Sequence, residues 1–372
     1  MAISNFAVVP STSDWNALTQ WVIDAAIYDN VFIGRPTLDK LKQNMKTYEG
    51  QGIQGEVEYA GNSGVWFNNS TTFTLTAEAQ SVTKYQYQPY NLAKPLTLPL
   101  LEVYGQGSKA LANLMTEKMR NALKGLSAGL SADIMAAATT NDAFCSIPVI
   151  IGDTRYERGT NPVGGLDNNS LTWWKSFIAE GESDAVTDFG KCVSPTIENL
   201  AKVGRYVSTS IGEPLGNATW VVHPNLWDVL YGQLTANQFA MAMQAVGGKN
   251  QDVFKWGYPA FAINGVPVTQ DFHMIGTAWV ASQATRAAAA GYEAMLINWN
   301  HLNLWYNKEL SWKWWPDGWQ RVLDKPLLTN IFFAVGNIGT NMRRAHARVH
   351  NINPAESPAA YTPCTVDVPP GV

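Results

Sequence analysis

Charge is what this sequence has least of. Only 15% of its 372 residues are Asp, Glu, Lys or Arg, against roughly 25% in an average soluble domain. Since 46% of the residues are hydrophobic, a solitary molecule would carry a sticky surface. Centres of protein interfaces are depleted in charge and enriched in Tyr, Trp, Phe and Met, so the shortage points to an assembly. Positive charge shows no excess either: 26 Lys and Arg stand against 30 Asp and Glu, for a net charge of −4. Tight wrapping around nucleic acid by counterion release is thereby excluded as the main activity. Cysteine is scarce. Cys145, Cys192 and Cys364 are far apart, odd in number and without a C-x-x-C pair, so reduced thiols of an intracellular protein are expected. No run approaches the 18 or so apolar residues of a membrane span, and MAISNFAVVP lacks the basic flank of a secretory signal. No internal repeat is present.

What is there is organised in blocks, with length enough for about two domains. Residues 1 to about 47 carry helical patches such as WNALTQWVIDAAIYD between turn signals, and read as an arm. From Tyr48 to about Pro99 short alternating runs take over: TTFTLTA puts Phe73 and Leu75 on one face, and KYQYQPY does the same for Tyr85 and Tyr87. Glycines at 50, 52, 55, 61 and 64 punctuate the approach. A two-stranded excursion of this kind is marginal in water alone and needs cover. From Ser108 to about Ala138, Leu111, Leu114, Met115, Met119, Ala122, Leu123, Leu126, Leu130, Ile134 and Ala137 recur in steps of three and four, which predicts one long helix. Gly125 and Gly129 offer it a place for another backbone to approach. SPTIENLAKVGRYVSTSI predicts a capped helix to about Ile211. TWVVHP is a strand ending at proline, NLWDVLYGQLTANQFAMAMQAV a helix, and FAINGVPVTQ a hairpin turning at Asn264-Gly265. MLINWNHLNLWYN and LLTNIFFAVGNI supply further strands, and the proline-rich last twenty residues read as a tail with little fold of its own.

Three motifs invite chemistry and yield to plainer readings. Gly105-Gln-Gly107-Ser-Lys-Ala110 spells G-x-G-x-x-A, but prolines precede it, the helix is too long for a crossover, and no second βα unit follows. His346 and His350 have zinc-ligand spacing, yet no third ligand is suggested and Arg343, Arg344 and Arg348 would repel a cation; a solvated basic strand or a phosphate-touching patch fits better. His223, His273 and His301 show no spacing that spells nucleophilic catalysis. The stretch SWKWWPDGWQ holds Trp312, Trp314, Trp315 and Trp319. A sugar platform with Asp317 or Glu309 as acid would need a second carboxylate that the sequence does not place. Trp312 and Trp314 share one strand face while Trp315 and Trp319 flank a turn expected at Pro316-Asp317-Gly318, and indole suits cores and interface anchors. No catalytic, cofactor-binding or metal-ligating residue is assigned.

The order of elements resembles the tailed-bacteriophage major capsid proteins of the Hong Kong 97-like fold. SKALANLMTEKMRNALKGLSAGLSADIM resembles the spine helix of that family, NPVGGLDNNSLTWWKS the segment after it, and TWVVHPNLWDVLYGQL a strand and helix of its axial domain. FAINGVPVTQDFHM resembles a hairpin of that domain, MLINWNHLNLWYN a strand pair of the peripheral domain, and IFFAVGNIGTNMRRAHARVHNI the closing strands. The likeness covers roughly residues 48 to 352. It implies an α+β fold with an N-terminal arm (1–47), an extended hairpin or E-loop (48–99), a peripheral domain with a spine helix (100–190, helix 108–138), an axial domain (191–295), returning strands (296–350) and a C-terminal tail (351–372). It further implies a non-enzymatic subunit that assembles with itself, as hexamers and pentamers, into an icosahedral virion shell around double-stranded DNA, built in the bacterial host cytoplasm without a membrane. Separate scaffolding, portal and decoration or minor capsid proteins would be partners; no cofactor is implied. Val57, Trp66, Phe67, Phe73, Leu75, Tyr85, Tyr87, Trp312, Trp314, Trp315 and Trp319 become the interface candidates, and Arg343, Arg344 and Arg348 the ion-pair or DNA contacts. The alternatives are an encapsulin-like compartment shell holding enzyme cargo and a tryptophan-rich glycan-active enzyme.

Overall fold

A computed structural model describes residues 35–59, 81–100, 108–135, 145–152, 163–167, 171–181, 197–233, 260–274, 292–309, 311, 313–322, 325–352 and 364–367. Its helices are α1 (Pro36–Gln43), α2 (Ser108–Ile134), α3 (Ile147–Ile151), α4 (Ile197–Ile211) and α5 (Pro224–Gly232). Its strands are β1 (Met45–Tyr48), β2 (Ile53–Glu58), β3 (Val82–Tyr87), β4 (Tyr90–Pro99), β5 (Phe177–Gly181), β6 (Ala218–Val222), β7 (Ala260–Ile263), β8 (Val266–Gln270), β9 (Tyr292–Asn298), β10 (Leu302–Asn307), β11 (Lys313–Arg321), β12 (Leu327–Thr340), β13 (Ala347–Ile352) and β14 (Cys364–Asp367). The chain falls into two units, the smaller taking Met1–Ile33, Leu92–Gly129 and Trp312–Ala334, and the larger the rest.

The larger unit is built on a seven-stranded mixed sheet in the order β14-β5-β13-β9-β6-β8-β7. Its centre explains the sequence there: ATWVV of β6 is buried at every position, as a strand covered on both faces must be, and so shows no alternation. On it packs α4, whose Leu200, Val203 and Val207 form one stripe, together with Leu226 and Leu230 of α5. Trp220, Phe261, Val268, Leu296 and Val349 answer them from the sheet. The helix stops at Gly212, whose φ of 66° few other residues would tolerate. Between β7 and β8, Asn264 and Gly265 hold φ of 51° and 80°, the doubly positive turn that their sequence predicts. In the same unit β1 runs parallel to β10, and the C-terminal part of β12 runs antiparallel to β10. There Gly336 lies so close to the Trp305 carbonyl that a Cβ would strike it.

The smaller unit pairs β11 with the N-terminal part of β12. It also holds most of β4, whose Leu96 carbonyl accepts from Thr329 Oγ1 of β12 at 3.1 Å. Here the sequence expectation needs correction. Pro316-Asp317-Gly318 does not reverse the chain: Trp315 pairs with Ile331 and Gln320 with Thr329, so the strand absorbs the extra residues as an irregularity, where a proline without an N–H is tolerated.

Two further expectations are corrected. Along the part of α2 whose side chains are described, Ala122, Leu126, Leu130 and Ile134 are buried, strictly four apart, and Leu123, expected beside them, is exposed. At Gly125 and Gly129 no atom of the described residues lies within 4 Å of where a Cβ would stand. The C-terminal segment is not without fold, because β14 pairs antiparallel with β5 and forms one edge of the large sheet. The end predicted for α2 at about Ala138 and the strand TTFTLTA lie outside the described residues. The described part of the hairpin joins β3 to the glycine-bearing β2, from Ile53 opposite Tyr87 to Glu58 opposite Val82.

Candidate functional site: the hairpin base and its buried anchors

The β2–β3 hairpin is a pair of strands too small to stand unsupported, so its base must be seated. Alternation along β3 turns Tyr85 and Tyr87 to one side, as expected, and both are buried, at 7% and 3% exposure. What covers them is their own chain. Tyr85 lies across Gly55, its partner in register, so closely that any Cβ at 55 would strike the ring. Trp174 stacks on Tyr85 at 6.4 Å, and Trp305 on Tyr87 at 6.0 Å. Gly339 leaves room for the Tyr87 ring in the same way.

The polar ends are satisfied with equal care, as burial requires. Tyr87 Oη donates to the Thr340 carbonyl and accepts from the Thr340 N–H, both at 3.1 Å. Trp174 Nε1 donates to the Val163 carbonyl at 2.9 Å, and Gln86 N to the Gly164 carbonyl at 2.8 Å. Asn337 Nδ2 donates to Gln88 O at 2.7 Å where the chain leaves the hairpin. Burial raises the Tyr85 hydroxyl above its usual range and the Tyr87 hydroxyl well above it. Tyr87→Phe is expected to lower the unfolding free energy by about 1–3 kcal/mol, because it removes one hydroxyl that serves two buried backbone groups. Denaturant melts of the two proteins measure it.

Beneath this base sit two arginines that the sequence suggested for the surface. Arg343 and Arg348 are inside the chain, which corrects their assignment to a subunit or DNA contact. Arg343 donates from Nε to Ile150 O at 2.7 Å, from Nη2 to Gly152 O at 2.6 Å and from Nη1 to Trp174 O at 3.0 Å. It therefore ties α3 and the turn Thr172–Trp174 to the short helical turn Arg343–Ala345. Arg348 grips Glu293 Oε2 from Nε at 3.0 Å and Nη2 at 2.8 Å, and reaches Pro148 O from Nη1 at 3.0 Å. Arg344 is half-buried. His346, expected on a solvated strand, is also buried: its Nδ1 accepts from Asn298 N at 3.2 Å, leaving Nε2 to face Thr340 Oγ1 at 3.1 Å. Burial, with His301 and Arg343 nearby, lowers its pKa to about 3, so it stays neutral. No group of His, Cys, Asp and Glu fit to hold a metal occurs among the described residues.

Of the other candidates, Val57 is half-buried on β2, on the side of Ile53. Trp314, Trp315 and Trp319 lie on β11. Trp66, Phe67, Phe73, Leu75 and Trp312 lie outside the described residues. Sequence spacing missed one convergence altogether. Asp271 Oδ1 accepts from His273 N at 2.9 Å and lies 3.3 Å from His273 Nδ1, while Ser131 Oγ is 3.4 Å from that same nitrogen. A relay of the serine-hydrolase kind needs the carboxylate and the hydroxyl on opposite ring nitrogens, so this trio lacks the hydrolytic geometry.

No protein-family model and no curated protein matches the sequence. Solved structures do match the fold. A subunit of the cyanophage A-1(L) capsid superposes with a TM-score of 0.60 at 13% identity, over 90% of this chain and 98% of that one. The capsid subunit of cyanophage Pam1 gives 0.52 at 7% identity, over 95% and 100%. The capsid subunit of a native GTA particle gives 0.52 at 13% identity, over 89% and 96%. The chain has the Hong Kong 97-like capsid fold, an α+β architecture.

Proposed function

We propose that this chain is the major capsid protein of a tailed bacteriophage, assembling with itself as hexamers and pentamers into an icosahedral shell that encloses double-stranded DNA. One observation carries the reading: the cyanophage capsid subunit is matched over 98% of its length by 90% of this chain, so the likeness takes in nearly the whole subunit. The composition supports it, since a chain with 15% charged residues suits a surface that copies of itself cover. In this reading residues 1–47 are the arm, 48–99 the E-loop, 100–190 the peripheral domain, 191–295 the axial domain, 296–350 the returning strands and 351–372 the tail. The aromatic seat of Tyr85 and Tyr87 then holds the root of the E-loop, while Val57 and the more distal Trp66, Phe67, Phe73 and Leu75 meet a neighbouring subunit. The tryptophans at 312, 314, 315 and 319 pack at a second contact. Head-to-tail contacts that close by rotation make rings, and rings joined through a second contact make shells. The protein acts without catalysis, is built in the host cytoplasm and resides in the virion, with scaffolding, portal and decoration proteins supplied separately.

Electron microscopy of the purified, full-length protein tests this, with nuclease digestion of particles from infected or expressing cells. Closed icosahedral particles that protect double-stranded DNA are expected when packaging partners are present. Particles that instead enclose a co-purifying enzyme would move the chain to the encapsulin-like reading. A monomer that stays dissolved at high concentration and binds polysaccharide would end the shell reading.

A further inference from the structure

The Thr37–Asp271–His273–Ser131 chain of contacts brings together three stretches remote in sequence. Asp271 comes directly after β8, and its N–H donates to the Val222 carbonyl at 3.0 Å, which places it at the carboxyl end of β6. Its side chain is fully buried. Oδ2 accepts from Thr37 Oγ1 of α1 at 2.6 Å across 234 residues. Oδ1 takes the His273 N–H, and the His273 ring in turn meets Ser131 of the last turns of α2 at 3.4 Å across 142 residues. Thr37 and Ser131 are themselves buried.

We infer that Asp271 is a clasp that docks α1 and couples that docking to the C-terminal end of α2. The first reason is the shortness of α1. It has eight residues, where an isolated helix needs roughly 12–15 to persist, so it is helical only while docked. The next element, β1, has four residues and stands at the edge of its sheet, so the α1–β1 segment can open without breaking the seven-stranded core. The apolar contacts of α1 come from Pro36, Leu38 and Leu41, and such burial is non-directional; at the other end of the helix Asn44 Nδ2 donates to Trp299 O at 2.9 Å. The short hydroxyl–carboxylate bond supplies direction, and it is costly to leave unmade because both groups are dry. When α1 lifts, Asp271 loses a donor, and the His273 ring, which it shares with Ser131, is the group free to turn toward it. Undocking at α1 is therefore felt at residues 131–135. The clasp does not depend on the shell reading.

Hydrogen exchange of the intact protein tests it. Thr37→Val swaps the hydroxyl for a methyl of similar size, and Thr37→Ser restores a hydroxyl. In T37V, amides over residues 36–48 are expected to exchange about tenfold or more faster, those over 131–135 to exchange faster with them, and those of β6 and β9 to keep their wild-type rates. T37S is expected to behave as the wild type does. Thr37→Ala serves if T37V does not accumulate. Unchanged exchange over 36–48 removes the clasp, and unchanged exchange over 131–135 removes the coupling. Acceleration that includes β6 and β9 equally shows a general loss of stability and overturns both.

Discussion

Arg348→Ala is expected to lower the unfolding free energy by about 3–5 kcal/mol, the range found when one partner of a buried ion pair is removed. For a domain with only about 5–15 kcal/mol to lose, that is a large share of its stability. The reason lies in the position of the pair. Arg348 is 0% and Glu293 4% exposed at the side chain, on adjacent strands where Ala294 pairs with Val349 and Met295 with Arg348. Alanine would strip a dry carboxylate of its ion-pair partner and the Pro148 carbonyl of its donor at once. Arg348→Lys would not repair this, because an ammonium lacks the planar fork that lets Nε and Nη2 share Oε2 while Nη1 turns to Pro148.

For the double variant the same physics gives the opposite sign. R348M combined with E293L removes both charges and fills their volume, and is expected to be more stable than R348A by several kcal/mol, since buried pairs roughly break even against apolar replacements. Denaturant midpoints of wild type, R348M, E293L and the double variant close the cycle, with R348A measured beside them. Equal loss in the double variant and in R348A would show that Arg348 matters for its bond to Pro148 and not for its charge. The distinction bears on the hairpin, because Arg343 and Arg348 together hold Pro148, Ile150 and Gly152 close to the turn that carries Trp174. Trp174 is the ring on which Tyr85 rests, so loss of either arginine should loosen the hairpin root before it unfolds the large sheet.

How far the sequence was legible depends on the range of each signal. The helical period of α2, the doubly positive turn at Asn264-Gly265, and the shared face of Tyr85 and Tyr87 are all set by residues within a turn or two of each other, and all were readable. What failed was partnership at long range. The alternation of β3 said that Tyr85 and Tyr87 needed cover; nothing local could say that Trp174, Trp305 and Thr340 of the same chain would give it. Arg343, Arg348 and His346 sit in a basic, polar-looking run, and only the fold shows that backbone carbonyls, one carboxylate and one amide take up their polarity. Gly55 and Gly339 are each small because an aromatic ring from another strand occupies the place of a side chain, which no local pattern announces. β14 was hidden because its short run is bracketed by prolines, and an edge strand of four residues leaves no periodicity to detect. Asp271 and Ser131 were invisible for the same reason: their meeting is a product of topology, with no spacing to announce it.

Acid should weaken this protein by a route that one residue can report. His346 is held neutral, its pKa lowered from the ordinary 6.5 to about 3 by burial and by the neighbouring His301 and Arg343. In the unfolded chain the same ring takes up a proton near pH 6.5. Between those two values the unfolded state binds more protons than the folded one, so stability rises with pH across the window. The contribution of His346 is complete above about pH 6.5 and is lost as pH falls toward about 3, at about 1.4 kcal/mol per unit. Protonation would turn Nδ1 from an acceptor into a donor facing the Asn298 N–H, which is why the folded state resists it. His346→Asn keeps an acceptor near Nδ1 and cannot titrate. It is expected to be less stable than wild type at pH 8 through lost packing, yet to lose about 3 kcal/mol less than wild type between pH 6.5 and 4.5. His223, also lowered by burial, and Asp133, raised by it, contribute equally to both proteins and cancel in the comparison. Denaturant midpoints measured at half-unit intervals from pH 8 to pH 4.5 give the two slopes. Parallel curves would mean that the ring is protonated in the folded state, and that the hydrogen bond from Asn298 does not hold it neutral.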